Sequence, residues 1–388
     1  MTTLIPAYSN PRADWQFYNP VRLRVGRECR KDLVKSLEKQ TILLVTSMRG
    51  RKQIEQDRFL ADLLKTSEVT WIDGVTENPG LDFLEGQISL LKGKTFDAVL
   101  AVGGGSAMDA AKSLKVALSP DCQSFGLERL LENPELHRAV KTIPLYAVPT
   151  TAGTGSEVTP FATVWNHEIK KKLSLAGPSV FPYAAFVDAE LTDTMPVAVT
   201  VSTGLDAINQ AAESIWNKNT NSISMAYANR ALQLGFEALP KLALGNGGKI
   251  EREQMAEASM LAGLAISHTR TALCHSMSYP VTAHFGVPHG LACAFTMPAV
   301  LRCNLQAEDG RFAQLAHTLT GASDLEDLVQ CFDVLHETLG VRQRVKSQIV
   351  NLDGLLALKE QMFTPGRADN NLADNIDLEK VIKESWIG

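Results

Sequence analysis

The chain has 388 residues, of which 45% are hydrophobic and 21% charged, proportions typical of a globular protein large enough for two domains. Its formal net charge is −5 and it contains no long basic run, so nucleic acid is not expected as a partner. No apolar run is long enough to span a membrane, and the N-terminus lacks the pattern of a signal peptide. A cytoplasmic location is therefore expected.

The six cysteines are dispersed and form no CxxC pair. This spacing argues against a disulfide framework and against a zinc site built from thiolates. We expect all six to be small buried hydrophobic residues in a reducing compartment.

The first half of the chain alternates between strand-like and helix-like segments. The predicted strands are residues 41–47, 69–73, 97–102 and 142–148. The predicted helices are residues 53–66, 81–92 and 107–117. Alternation of this kind indicates parallel strands joined by helices, and hence a Rossmann-like α/β domain.

After about residue 191 the pattern becomes alanine-rich with helical period. The predicted helices are residues 203–216, 222–239, 252–267, 290–301 and 310–319. A boundary within residues 187–192 gives an α/β domain over residues 1–188 and an all-helical domain over residues 189–388. Residues 365–375 are polar and are expected to form a loop.

A glycine-rich segment, DAVLAVGGGSAMDAAK, follows one buried strand. Gly103, Gly104 and Gly105 precede Ser106 and a predicted helix, whose N-terminal N–H groups suit a phosphate. The segment is neither GxGxxG nor a P-loop, and a tight strand–helix turn explains it comparably well.

A second polar loop, PTTAGTGSEVT, follows the strand predicted at residues 142–148. Its hydroxyl side chains are Thr150, Thr151, Thr154 and Ser156. The carboxyl ends of parallel strands form the edge where open α/β sheets bind ligands, so two such loops favour a binding site over an irregular connection.

Two histidines, His275 and His289, lie fourteen residues apart. Pro288 suits a helix start and would place His289 in a first helical turn. His275 is near the end of the apolar segment 255–277, where Pro280 is expected to stop or kink a helix. Neutral imidazoles are common metal ligands, although this spacing alone fits two structural histidines equally well.

The segment STGLDAINQAAESIW carries Asp206 and Gln210, which are four residues apart and share a helix face. Ser202 or Thr203 is expected to cap this helix. That placement also gives Asp206 a structural explanation, because an acid is favourable near a helix N-terminus.

Together these segments resemble the iron-containing (group III) alcohol dehydrogenase family. The matching pieces are residues 74–79 (GVTENP), 103–112, 149–159, 188–191 (DAEL), 203–213 and 275–290. The resemblance implies a dinucleotide-binding domain, a helical metal-binding domain, an active site between them and a homodimer or larger assembly.

The resemblance also implies site residues. Gly103, Gly104, Gly105 and Ser106 fall on the family's pyrophosphate loop, and Asp109, Thr150, Thr151, Thr154 and Lys172 fall on further cofactor-contacting positions. Asp206, His275 and His289 match three of the four ligands of a divalent metal, Fe²⁺ or Zn²⁺.

Gln210 stands where the family usually has its second ligating histidine. Its neutral carbonyl is a weaker ligand than imidazole, so we expect a weak fourth bond or a three-residue site with water.

Two further departures concern proton transfer. Tyr279 replaces a histidine that lies near the nicotinamide in the family, where a tyrosine can relay a proton or simply pack. His284 is an additional imidazole, and a surface position suits it as well as a proton-shuttling one.

Ser47 replaces an aspartate that suits the ribose of NAD in the family, and Arg49, Arg51 and Lys52 follow it. A small residue near cations accepts the 2′-phosphate of NADP(H), so NADP(H) is expected over NAD(H). The alternative is a solvated basic turn.

The implied reaction interconverts an aldehyde and a primary alcohol. Arg270 lies shortly before His275 in RTALCHSMSYP, a pattern that resembles the branch reducing phosphonoacetaldehyde to 2-hydroxyethylphosphonate. Arg270 is therefore predicted to bind an anionic head group, with a structural salt bridge as the alternative.

Three other functions of the protein remain open. They are a dehydrogenase of another small alcohol or polyol, a sugar-phosphate cyclase of the dehydroquinate synthase kind, and a non-catalytic binding protein.

Overall fold

The computed structural model describes residues 14–169 and 171–387. They belong to two compact units, one of Asn19–Thr194 and the other of Met195–Gly388 together with the chain up to Tyr18. The first unit is an α/β layered fold and the second is helical, which confirms the predicted fold class. Within the described residues, no helix is long and apolar enough to cross a membrane.

The first unit contains eight described strands. In chain order they are β1 (Arg22–Val25), β2 (Thr41–Val45), β3 (Glu68–Ile72), β4 (Ala98–Gly103), β5 (Leu145–Pro149), β6 (Phe161–Asn166), β7 (Lys171–Ala176) and β8 (Ala184–Val187). Six form a parallel sheet in the order β1-β8-β5-β4-β2-β3. Strands β6 and β7 form a separate antiparallel hairpin.

Both faces of the parallel sheet are covered, which explains the continuous apolar run of β2. Leu43 and Val45 point into one core cluster, whereas Ile42 and Leu44 point into another on the opposite face. Because successive side chains of a strand point to opposite faces, a strand that is covered on both faces must be apolar at every position.

The first unit has six described α-helices, of which the first and the last were not predicted. They are α1 (Arg30–Leu37), α2 (Met48–Gln56), α3 (Leu60–Thr66), α4 (Leu81–Leu91), α5 (Gly105–Ala117) and α6 (Leu127–Glu132). The single helix predicted for residues 53–66 is two helices. Asp57 separates them, because its carboxylate accepts hydrogen bonds from the backbone N–H groups of Phe59 and Leu60 and pairs with Arg30.

The second unit is built from ten described helices. They are α7 (Val197–Ile215), α8 (Ser222–Ala243), α9 (Lys249–Thr269), α10 (Leu273–Phe285), α11 (His289–Asn304), α12 (Arg311–Thr320), α13 (Leu325–Thr338), α14 (Val341–Lys346), α15 (Leu352–Leu356) and α16 (Leu378–Ile387). Helix α7 begins at Val197, after Pro196, so the predicted caps Ser202 and Thr203 lie inside it. Asp206 is therefore well within the helix, and dipole or capping stabilisation does not account for it.

The helix boundaries around His275 also differ from prediction. Helix α9 ends at Thr269 and α10 begins at Leu273, so His275 lies in the first turn of α10 instead of near a helix end. Pro280 does not stop the helix, which continues to Phe285. The break falls at Arg270, whose φ of 61° and ψ of 179° no helix can include.

Candidate metal centre and nucleotide-binding loops

Four side chains of the helical unit converge on one point. Asp206 of α7, His275 of α10, and His289 and Cys293 of α11 each offer a ligand atom, and these atoms all lie within 4.8 Å of one another. Asp206 Oδ1 is 3.3 Å from His275 Nε2 and 4.0 Å from His289 Nε2. The three predicted residues Asp206, His275 and His289 are thus brought together.

The close approach of α7 and α11 depends on Gly290, the residue after His289. A Cβ atom at this position would lie 1.8 Å from the carbonyl oxygen of Ser202 and 3.0 Å from the backbone nitrogen of Asp206. Only glycine leaves room for this contact. The His-Gly pair therefore places the imidazole beside the carboxylate on the neighbouring helix.

Cys293 is the residue of this cluster that the sequence interpretation missed. It is fully buried, and its Sγ lies 3.7 Å from His289 Nε2 and 3.8 Å from His289 Nδ1. The expectation that every cysteine is only a small buried hydrophobic residue is wrong for this one. The available signal was its spacing, because residues four apart on a helix share a face.

Glu213 fixes the orientation of His275. Its buried carboxylate accepts hydrogen bonds from His275 Nδ1 at 2.6 Å and from the backbone nitrogens of Ala272 and His275. With Nδ1 protonated, Nε2 carries its lone pair toward Asp206. Glu213 shares the face of α7 that carries Asp206 and Gln210, since the three are spaced by four and three residues.

Two hydrogen-bond acceptors that face each other within the cluster, Asp206 Oδ1 and His275 Nε2, indicate a binding site for a cation. Asp206 Oδ1 is buried without a hydrogen-bond partner among the described residues, although His275 Nε2 is only 3.3 Å away. Two acceptor atoms facing each other are stabilised by a positive charge between them. The donor set of carboxylate, two imidazoles and thiol fits a divalent transition metal.

When no metal ion is bound, a proton on His275 can supply this positive charge and hydrogen-bond to Asp206. Burial acts to raise the pKa of Asp206, but hydrogen bonding and charge from His275 and His289 hold it below its usual value. Burial acts against protonation of His275, but Cys293, Glu213 and Asp206 raise its pKa well above the usual value. Burial also opposes ionisation of Cys293, yet the two imidazoles lower its pKa to about 6.

Gln210 is buried beside Asp206, and hydrogen bonding from its side chain helps to lower the pKa of that carboxylate. Its Oε1 is also buried and lacks a hydrogen-bond partner among the described residues. Ligation by Gln210 remains a prediction.

The two residues predicted for proton transfer have different surroundings. Tyr279 stacks on His289, with ring centroids 6.3 Å apart and an interplanar angle of 13°. His284 is exposed, and its Nε2 contacts Gln361 Oε1 at 3.2 Å. It lies nine residues after His275 on α10, on the opposite face of the helix, so it is not brought to the cluster.

Arg270 has a neighbouring cation that the sequence interpretation did not identify. Arg367 donates to Thr271 Oγ1 at 2.8 Å, and its guanidinium carbon lies 5.7 Å from the centre of the Tyr279 ring. Burial lowers the pKa of Arg270, and the charge of Arg367 lowers it further. No local pattern connects Arg367 to this position, because it is distant in sequence.

The backbone of Arg270 is strained. A φ of 61° with a ψ of 179° belongs to a region that is essentially restricted to glycine. Asn217 Nδ2 and Thr269 Oγ1 hold it there by donating to the carbonyl oxygen of Arg270. Strain of this kind persists where the surrounding structure over-determines the backbone, commonly at functional sites.

In the α/β unit, the two predicted loops pack against each other at the ends of neighbouring strands β4 and β5. A Cβ at Gly104 would lie 3.1 Å from Thr151 Oγ1, and one at Gly105 would lie 2.6 Å from Thr154 Cγ2. The glycines therefore make room for the threonines as well as exposing backbone N–H groups at the start of α5.

Ser106 contacts the chain before α4, and Asp109 contacts the second loop and strand β6. Ser106 Oγ accepts a hydrogen bond from the backbone nitrogen of Asn78 at 3.3 Å. Asp109 accepts from Ser156 Oγ at 2.7 Å and from the backbone nitrogen of Thr163 at 2.9 Å. Lys172, on β7, lies near enough for its charge to act on the pKa of Asp109.

Lys112 shows how the second loop is held. Its ammonium group donates to Ser156 Oγ, Thr159 Oγ1 and the carbonyl oxygen of Phe161 at 2.7–3.1 Å. Burial lowers its pKa to about 8. The side chain is fully buried, and its ammonium group is used to hold the second loop. It is therefore not a phosphate-binding lysine of the P-loop kind.

The basic turn after β2 is only partly available to a ligand. Ser47 Oγ caps α2 by accepting from the backbone nitrogen of Gly50. Arg51 pairs with Asp73 and Glu55 at 2.8 and 2.9 Å. Arg49 and Lys52 are exposed, and neither forms an ion pair with another described residue.

The sequence also resembles known proteins in both units. Residues 20–189 match the iron-containing alcohol dehydrogenase family, and residues 200–379 match the C-terminal domain of the Fe-containing alcohol dehydrogenase family. The 1,3-propanediol dehydrogenase of Klebsiella pneumoniae is 30% identical over 92% of each chain. The phosphonoacetaldehyde reductase of Streptomyces viridochromogenes is 34% identical over 63% of this chain and 62% of its own length.

Among solved structures, sulfoacetaldehyde reductase from Bifidobacterium kashiwanohense in complex with NAD+ has a TM-score of 0.83 at 29% identity. That match covers 96% of this chain and 97% of the other. Matches to several curated relatives are shorter and span 60–64% of the relative's length. The chain belongs to the iron-containing alcohol dehydrogenase family, which confirms both the predicted family and the predicted class of aldehyde/alcohol oxidoreductase.

Proposed function

We propose that this protein reduces a small anionic aldehyde to its primary alcohol with NADPH, and that phosphonoacetaldehyde, giving 2-hydroxyethylphosphonate, is the preferred substrate. The observation that carries the proposal is a pair of neighbouring cations: the charge of Arg367 acts on Arg270, and the Arg367 guanidinium lies 5.7 Å from the ring of Tyr279, which stacks on His289 of the metal-ligand cluster. Two relatives whose names specify phosphonoacetaldehyde and sulfoacetaldehyde support it.

The metal-binding residues fix the reacting end of the substrate. Asp206, His275 and His289 would hold the ion, and Glu213 keeps His275 in the tautomer that presents Nε2. A bound divalent metal supplies a Lewis acid for the carbonyl oxygen, and the nicotinamide supplies the hydride. The protein contributes position and a buried, polar surrounding for the charge that develops on oxygen.

The two arginines recognise the other end of the substrate. Phosphonate and sulfonate groups accept charge-assisted hydrogen bonds from guanidinium groups, often in pairs. Partial burial and the nearby charge of Arg367 lower the pKa of Arg270, so a ligand that brings negative charge is favoured beside it. The strained backbone at Arg270 separates α9 from α10, whose first turn carries His275.

The reaction also requires one proton. Hydride reaches the carbonyl carbon, the carbonyl π bond breaks toward oxygen, and that oxygen takes up a proton to give the alcohol. We assign proton delivery to the Tyr279 hydroxyl, because its ring packs on His289, whereas His284 is exposed and on the opposite face of α10.

Tyr279→Phe should lower kcat without changing metal content, and His284→Ala should leave kcat unchanged. Equal effects of the two substitutions would exclude this assignment.

The arginine pair is tested by comparing anionic and neutral aldehydes. Arg270→Ala and Arg367→Ala should each raise KM for phosphonoacetaldehyde by about tenfold to hundredfold, since each removes hydrogen bonds to a charged group. KM for propionaldehyde should change little. Arg230→Ala, an exposed arginine on α8, serves as the matched control. Equal changes in KM for both aldehydes would refute anion recognition.

We further propose a preference for NADPH over NADH. Ser47 leaves room beside the exposed cations Arg49 and Lys52, while Arg51 is occupied by Asp73 and Glu55. Ser47→Asp should lower kcat/KM for NADPH by roughly tenfold and spare NADH, because the new carboxylate repels a 2′-phosphate. A wild-type enzyme that clearly prefers NADH would overturn this part of the proposal.

A further inference from the structure

Cys293 occupies the position of a metal ligand, although the family's ligand set as matched by this sequence contains no cysteine. It lies one helical turn after His289, on the face of α11 that meets α7. Tetrahedral coordination with bonds of about 2.0–2.1 Å to nitrogen and about 2.3 Å to sulfur separates the two atoms by about 3.6 Å. The observed distance from Sγ to His289 Nε2 is 3.7 Å.

The distance between the carboxylate oxygen of Asp206 and the imidazole nitrogen of His275 also fits a tetrahedral site. Equal bonds of about 2.0–2.1 Å to oxygen and nitrogen place those two atoms about 3.4 Å apart in a tetrahedral site. Asp206 Oδ1 and His275 Nε2 are separated by 3.3 Å. Two of the ligand separations match one ion at the centre, and the separation of 4.0 Å between Asp206 and His289 is somewhat longer. Sγ is also 3.8 Å from His289 Nδ1, so the imidazole of His289 must turn to direct Nε2 at the same ion.

The surroundings of Cys293 differ from those of a cysteine that only fills space. Its sulfur contacts an imidazole and lies within 4.8 Å of ligand atoms from Asp206 and His275, yet it is fully buried. Buried polar and ionisable groups gather in this way where a metal organises them. Gln210 offers only a neutral oxygen, which binds a transition metal more weakly than a thiolate does.

We propose that Cys293 Sγ is a ligand of the metal, so that the centre consists of Asp206, His275, His289 and Cys293. The inference rests on the metal-dependent activity proposed above and specifies its ligand set. A thiolate takes over the role that the family's missing histidine would have at position 210. Because thiolate is a soft ligand, the centre should favour Zn²⁺ over Fe²⁺.

The test replaces the metal with Co²⁺, whose absorption spectrum reports its ligands. Full-length wild-type protein is stripped with a chelator, dialysed and reconstituted with cobalt alone. We expect d–d bands in the visible range together with a thiolate-to-cobalt charge-transfer band in the near ultraviolet. Cys293→Ala and Cys293→Ser should lose the charge-transfer band and retain d–d bands. Cys122→Ala, which removes a fully buried cysteine of the other unit, should keep both.

The decisive spectrum is that of the wild-type protein, so a variant that fails to fold does not mask the result. Cobalt d–d bands without a charge-transfer band would refute ligation by Cys293 and leave the metal-dependent activity intact. Failure to bind cobalt, combined with activity that survives chelation, would overturn both the ligand assignment and the metal centre. Competition between zinc and ferrous iron, measured by metal analysis under anaerobic conditions, should favour zinc in the wild type and less so in Cys293→Ser.

Discussion

The two units of this protein build their sites in different ways. In the α/β unit, the two loops predicted to bind the nucleotide are continuous segments at the ends of two neighbouring strands, and each loop is held mainly by residues close to it in the fold. In the helical unit, the candidate metal centre takes side chains from α7, α10 and α11. Arg367, from the chain between α15 and α16, hydrogen-bonds to Thr271, just before α10. Changes in the loops of the α/β unit should reduce cofactor binding gradually, whereas loss of an imidazole ligand in the helical unit should remove metal binding and activity together.

The largest effect is expected from removing a metal ligand. His275→Ala deletes one imidazole of a cluster in which every ligand atom depends on the others. Metal affinity should fall by more than about 100-fold, the upper range for loss of a residue that only supports a ligand. Metal content measured after gel filtration should drop to background, and aldehyde reduction with it. His284→Ala is the control, and it should retain both.

A smaller but clear effect is expected from Glu213→Gln. The substitution keeps the size of the side chain but removes the charge that accepts from His275 Nδ1 at 2.6 Å. Metal affinity should fall by about 10–100-fold. Isothermal titration with zinc measures this directly. Glu337→Gln, at an exposed position of α13, should bind zinc as the wild type does. Unchanged zinc affinity in Glu213→Gln would mean that the orientation of His275 does not depend on this carboxylate.

The smallest effect is expected in the glycine loop. Gly105→Ala places a methyl group 2.6 Å from Thr154 Cγ2, and overpacking of this kind costs about 1–3 kcal/mol. KM for the cofactor should rise severalfold and the unfolding temperature should fall. Thr154→Ser removes Cγ2 and should rescue both properties in the double variant. Additive effects of the two substitutions would show that the two loops are not coupled through this contact.

The difference between a site on continuous loops and a site assembled from several helices explains how much of each site the sequence predicts. GGGS and PTTAGTGSE are continuous and follow apolar strands, so their position at one sheet edge follows from the alternation of strands and helices. The helical site is harder because its parts come from distant segments. Asp206 and the two histidines were identified through a family resemblance, whereas Cys293 and Arg367 depend on how helices pack.

Two local errors have specific physical causes. The start of α7 was placed too late because Val197 and Val199 are exposed and give little helical periodicity, so Asp206 was assigned to a helix N-terminus. Helix α10 is not among the predicted helices, and the break before it occurs at Arg270, where the backbone adopts a conformation that composition does not suggest for arginine. That break is what places His275 at the start of a helix.

The most direct test of the proposed function is the rate of NADPH oxidation by zinc-loaded and chelated protein with phosphonoacetaldehyde and with propionaldehyde. We predict a much higher kcat/KM for phosphonoacetaldehyde, with one NADPH consumed per alcohol formed, and loss of turnover on chelation that zinc restores. A higher kcat/KM for propionaldehyde, or turnover that chelation leaves unchanged, would contradict a metal-dependent reductase of anionic aldehydes.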